Sequence, residues 1–97
     1  MVKFALLARV EAKHGKEAAV EEFLKSALPL AIDESGTVSW YALKIGPSTF
    51  GIFDTFDNEE GREAHLSGKI AAALMQHASE LLSSPPTIEK VELIAVK

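Results

Sequence analysis

Three histidines, one tryptophan and a scatter of carboxylates must carry whatever chemistry this 97-residue chain performs, because it contains no cysteine. A chain without thiols has no disulfide framework, no thiolate zinc site, no iron–sulfur cluster and no cysteine nucleophile. His65 stands out among the histidines. It follows the stretch FGIFDTFDNEEGRE, which runs from aromatic alternation into charge, and sits in Ala64-His65-Leu66. An imidazole titrates near neutrality, so in a cleft it can bind or deprotonate a substrate hydroxyl. The same ring can instead donate a hydrogen bond to a backbone carbonyl and fix a short helix against its support. Trp40 has an N–H for a ligand, although a large aromatic on a buried strand face more often serves the core. His77 lies three residues after Leu74 and four before Leu81, at a pocket rim or at the edge of a helix stripe. His14, beside Gly15, belongs to a solvated loop. The chain has no Gly-rich phosphate loop, G-x-S-x-G elbow or H-E-x-x-H helix.

Composition narrows the setting. An apolar fraction of 47% with 25% charged residues describes a folded globular chain. Its length suits one domain, residues 1–97, without room for a separate nucleotide-binding unit. The formal charge of −4 and dispersed lysines give nucleic acid no electropositive footprint. MVKFALLARVEA reaches Arg and Glu too soon for a membrane span or signal peptide, so no membrane partner and a cytoplasmic location are expected.

The elements that position these residues are visible as periods. Residues 2–12 alternate with a period of two, placing Phe4, Leu6, Ala8 and Val10 on one face of a strand. Val20, Phe23, Leu24, Ala27, Leu28 and Ala31 recur at helical spacing over 17–31, with Pro29 weakening the last turn. Residues 37–45 and 49–56 are rich in β-branched and aromatic residues and form a hairpin across Gly46-Pro47-Ser48. A turn centred on Pro47-Ser48 pairs Leu43 with Ile52, Ala42 with Phe53, Tyr41 with Asp54 and Trp40 with Thr55. Asn58 caps a short helix ending at Leu66; a second helix carries Ile70, Leu74, Ala78 and Leu81; residues 87–96 make the last strand.

The order strand, helix, strand, strand, helix, strand is the split βαβ plan: a ferredoxin-like α+β fold, an antiparallel sheet with helices on one face. Ala5, Leu7, Leu43, Ile52 and Phe56 add apolar residues to the helix-free face, which a second copy should cover as a homodimer. Arg9 and Asp54 are expected on that same face as an ion pair near the seam, with Tyr41 beside it.

The hydrophobic first strand ending at Gly15, the Glu-x-Gly-Thr turn at Glu34–Thr37, the Phe-x-x-x-Asp strand at Phe50–Asp54 and the Ala-His-Leu helix together resemble the antibiotic-biosynthesis monooxygenase-like domains. That family includes quinol monooxygenases and forms dimeric α+β barrels. The resemblance spans nearly the whole chain and implies oxidation of a small electron-rich aromatic by dioxygen, without metal, flavin or haem cofactor. An electron-rich phenol, once deprotonated, can itself reduce dioxygen, so the protein supplies a dry pocket, a proton acceptor and hydrogen bonds. On this reading His65 is the catalytic candidate, Trp40, Phe53 and Thr55 line the sheet side of the substrate pocket, and His77 stands at its rim. The haem-degrading branch has a similar layout but places an Asn, a Trp and an axial His where this chain has Ala8, His65 and Met75. The alternative to an enzyme is a non-enzymatic dimeric barrel that binds a small hydrophobic ligand or serves a stress-related structural role.

Overall fold

The computed structural model describes residues 2–97. Its elements are β1 (Phe4–Glu11), α1 (Glu17–Ser26), α2 (Leu28–Asp33), β2 (Thr37–Lys44), β3 (Thr49–Phe56), α3 (Glu59–Leu66), α4 (Lys69–Leu81) and β4 (Thr87–Glu92). The sheet is antiparallel throughout, in the order β2-β3-β1-β4. All helices cover one of its faces, which makes the fold α+β and ferredoxin-like. Val10, Phe50 and Ile52 from the sheet meet Val20 and Leu24 of α1 and Ile70 and Leu74 of α4 in one buried cluster. Among the described residues no helix is long and apolar enough to cross a membrane.

The helix expected over residues 17–31 is two helices. Pro29 lacks the N–H that would continue α1 and its ring crowds the preceding turn, but proline suits a first turn, so the chain restarts as α2. The terminal strands are shorter than their alternation suggested, beginning at Phe4 and stopping at Glu92.

The hairpin register differs by one residue, and this changes the reading of the site. Ile45 and Gly46 donate their N–H groups to the Thr49 carbonyl at 2.8 and 3.1 Å, enclosing Gly46-Pro47-Ser48 as a three-residue loop. Two-residue hairpin turns need a positive φ at their first central position, which Pro47 cannot adopt. The pairs are therefore Leu43 with Gly51, Ala42 with Ile52, Tyr41 with Phe53, Trp40 with Asp54 and, beyond Tyr41 and Trp40, Ser39 with Thr55; an irregularity follows between Thr37 and Ser39. Directly opposed residues share a face. Asp54 and Trp40 thus lie on the helix-covered side, while Phe53, Thr55 and Tyr41 lie on the open side.

Two further expectations are corrected by this register. Arg9 opposes Gly51 on the open face, so it forms no pair with Asp54, which is 1% exposed beneath the helices. Ile52 and Phe56 are core residues, 6% and 0% exposed, rather than part of the open face. The apolar residues on the open face are Ala5, Leu7, Leu43, Phe53 and Val91, with Tyr41 and Ile45 further exposed. Leu43 and Ile45 fold over Gly51 there.

Candidate functional site

The site begins with the seating of α3. Asn58 caps it by accepting a hydrogen bond from the Gly61 N–H at 2.8 Å, and Glu59 and Glu60 complement the positive end of the helix dipole. One turn in, Arg62 is buried. Its guanidinium lies over the Phe4 ring, 5.2 Å from the centroid, and donates to the Val91 carbonyl at 3.3 Å and, more weakly, to that of Ala5 at 3.5 Å. A side chain three residues further along projects from the same helix face. His65 is therefore directed down onto the sheet, its ring tilted against Phe56 with centroids 5.4 Å apart.

There it meets two carboxylates. Nδ1 is 2.6 Å from Glu34 Oε1, and Nε2 is 2.8 Å from Asp54 Oδ2. The Glu34 contact is an aligned hydrogen bond. The Asp54 contact is close but poorly directed, and among the described residues no protein group donates a well-formed hydrogen bond to either Asp54 oxygen. Glu34 is prepared for its role by the turn that carries it. Its N–H donates to the Ala31 carbonyl at 3.1 Å, and the Thr37 hydroxyl donates to Oε1 at 2.7 Å. This turn approaches α3 backbone to backbone, because a Cβ on Gly36 would stand 3.1 Å from Gly61 Cα and one on Gly61 would stand 3.0 Å from the Gly36 carbonyl oxygen. Two glycines facing each other let Glu34 reach the histidine.

Burial by itself pushes the His65 ring toward its neutral form, but the close contacts and charges of Asp54 and Glu34 outweigh it and raise the pKa from 6.5 to about 9. At neutral pH the ring is an imidazolium between two carboxylates. Both nitrogens then carry protons, so the ring has no lone pair with which to act as a base. This geometry favours the anchoring role for His65, with carboxylate partners in place of a backbone carbonyl.

Two spaces adjoin the histidine. An open cleft of about 360 Å³ is lined by Leu30, Glu34, Thr37, Ala64, His65 and Lys69 among others. Among the described residues no group hydrogen-bonds Glu34 Oε2 there, since both bonds to this carboxylate fall on Oε1. A second, smaller pocket of about 30 Å³ lies between the sheet and α4, with Asp54 and His65 in its wall. Of the residues that sequence reasoning assigned to substrate binding, Trp40 lies opposite Asp54 on the helix-covered face but borders a separate groove with Leu28, Ile32 and Val38. Phe53 and Thr55 are on the other side of the sheet, where Thr55 bonds the Ser39 hydroxyl at 2.5 Å. His77 packs edge-on against Phe23, 5.6 Å between centroids, around a small crevice that His65 does not line. Glu34 and Asp54 were not read as partners of His65. The Glu-x-Gly-Thr turn and the Phe-x-x-x-Asp strand were the available signals. Among the described residues no group of three or more His, Asp or Glu is disposed to hold a metal ion.

Comparison with family models finds no match, and no curated protein matches the chain. Solved structures do. A protein of unknown function from Nitrosomonas europaea, NE2512, is 67% identical over 100% of this chain and 94% of its own, with a TM-score of 0.97. A "putative antibiotic biosynthesis monooxygenase" from the same organism is 14% identical over 95% of this chain and 90% of its own, with a TM-score of 0.83. Another so described, from Chloroflexus aurantiacus, is 16% identical over 98% and 96% of the two chains, with a TM-score of 0.74. The latter two share the fold.

The bridge makes stability depend on pH in a defined direction. His65 has a folded pKa above its unfolded value, so its contribution is fully present below pH 6.5 and is lost as pH rises through about 9. The shift corresponds to about 3 kcal/mol. Urea unfolding across this window should show the decline, which His65→Gln should abolish, and NMR should place the His65 titration near its upper end. A flat profile with His65 titrating near 6.5 would contradict the charged bridge.

Proposed function

This chain belongs to one family with NE2512 of Nitrosomonas europaea, and from that premise we propose that it is a cofactor-independent monooxygenase acting on a small phenolic or quinol substrate in the cleft beside Glu34. The observation that carries this reading is the free Oε2 of Glu34 at the wall of a cleft large enough for an aromatic ring. The likeness in fold to proteins described as antibiotic biosynthesis monooxygenases supports the reaction class. The substrate hydroxyl donates to Glu34 Oε2, and Leu30 and Ala64 offer apolar contact to the ring. As the hydroxyl proton passes to Glu34, the electron-rich anion reduces dioxygen. One oxygen atom enters the substrate, and the other leaves as water with two substrate hydrogens. His65 acts by fixing Glu34, with the Thr37 hydroxyl, in the orientation this requires.

The close approach of a carboxylate to each His65 nitrogen favours a second reading, a barrel that binds an aromatic ligand in this cleft without reacting. It predicts binding without oxygen uptake.

A homodimer through the open sheet face forms part of the proposal. Leu7, Leu43, Phe53 and Val91 form its apolar centre, and Tyr41 and Ile45, 55% and 45% exposed, extend it. A twofold contact burying ~800 Å² per partner has the standard size for a stable pair.

The reaction is tested by oxygen consumption with substituted hydroquinones. The monooxygenase reading expects turnover that Glu34→Gln lowers by about 10²- to 10⁴-fold, with the urea midpoint followed in parallel to separate lost chemistry from lost fold. Saturable binding of the same hydroquinones with no oxygen uptake would overturn it in favour of the binding barrel. For assembly, sedimentation at micromolar concentration should show a dimer that Leu43→Asp converts to folded monomer or unfolds, because the twofold would bury two unpaired charges. A wild-type monomer would reject the interface.

A further inference from the structure

Asp54 is 1% exposed, yet no protein group among the described residues gives either of its oxygens a well-formed hydrogen bond. Buried carboxylates ordinarily collect donors, and among the described residues the one cation within ion-pair distance of this one, His65, meets a single oxygen at a poor angle. Among the described residues Oδ1 has no hydrogen-bond partner, and Asp54 stands in the wall of the pocket between the sheet and α4. The rest of that wall, apart from His65, is hydrocarbon, with Ile52 and Ile88 on the sheet side and Ile70 and Leu74 on the helix side.

These features select a ligand chemistry. A buried water seeks two to four polar partners, and the polar lining of this pocket is Asp54 and His65 alone. A purely apolar guest would leave Oδ1 unsatisfied. One donor attached to a short hydrocarbon answers both surfaces. The volume, about 30 Å³, sets the scale at a few heavy atoms. We propose that this pocket is a binding site, distinct from the open cleft, for a small neutral alcohol or for the terminal hydroxyl of a larger one, with the O–H donated to Asp54 Oδ1 and the carbon seated against Ile70 and Leu74.

The site is independent of the proposed reaction, since it uses neither Glu34 Oε2 nor dioxygen. Ethanol and dimethyl ether are isomers that differ in having or lacking the donor, which makes them suitable probes. In methyl-labelled full-length protein, ethanol should cause saturable NMR shifts confined to Ile52, Ile70, Leu74 and Ile88, and should bind at least about fivefold more tightly than the ether. Asp54→Asn should weaken ethanol at least about fivefold. Because that substitution also disturbs the His65 bridge, Ala71→Leu provides a second arm, filling the pocket from α4 with the bridge intact. It should abolish the ethanol shifts and leave the remaining spectrum in place. Equal affinity for both isomers would reduce the pocket to an apolar void and overturn the proposal. Water-to-methyl cross-relaxation that ethanol does not displace, or ethanol shifts that survive Ala71→Leu, would overturn it as well.

Discussion

A protonated histidine held between two carboxylates is the contact on which the site depends. Glu34, Asp54 and His65 come from the α2–β2 turn, a central strand and α3, three segments that the bridge joins at one point. Pairing is what makes each charge tolerable beneath the helices, since burying any one of them alone would cost several kcal/mol. The tie also explains neighbouring features. The glycine-to-glycine approach of the turn to α3 brings Glu34 within 2.6 Å of the ring, and buried Arg62 orients the helix face from which His65 projects. Relaxing either would lengthen the bridge.

The same tie redistributes the chemistry around it. A histidine raised to about 9 by its partners carries a proton on both nitrogens, so the proposed reaction assigns proton acceptance to the Glu34 oxygen outside the bridge. On the inner side, Asp54 stands in the wall of a largely hydrocarbon pocket, with no well-formed hydrogen bond to either oxygen among the described residues. One residue thus separates a wet carboxylate from a dry one, and their environments suit different ligand groups.

The element order and the helix-covered architecture were legible in the sequence because they rest on periodicity, which a single chain displays directly. Asn58 as a cap and residues 49–56 as a strand are examples. The partners of His65 were less legible, for one physical reason. A strand reverses the face of every side chain when its register slips by one. Reading Pro47-Ser48 as a two-residue turn placed Asp54 opposite Tyr41 on the open face, whereas the three-residue loop that proline enforces turns it inward. Phe53 and Thr55 changed sides in the same slip. Glu34 was hidden differently. Its Glu-x-Gly-Thr turn looked like punctuation, and only the closeness of Gly36 to Gly61, far apart in the chain, makes that turn part of the site.

Whether Glu34 and His65 act as one unit can be measured without knowing any substrate. In a double-mutant cycle of Glu34→Gln and His65→Gln, followed by urea unfolding near neutral pH, a charged bridge predicts a coupling energy of about 1 kcal/mol or more. Single substitutions whose costs add to within about 0.5 kcal/mol would mean that the two residues stabilise the fold independently, and the bridge would not organise the site.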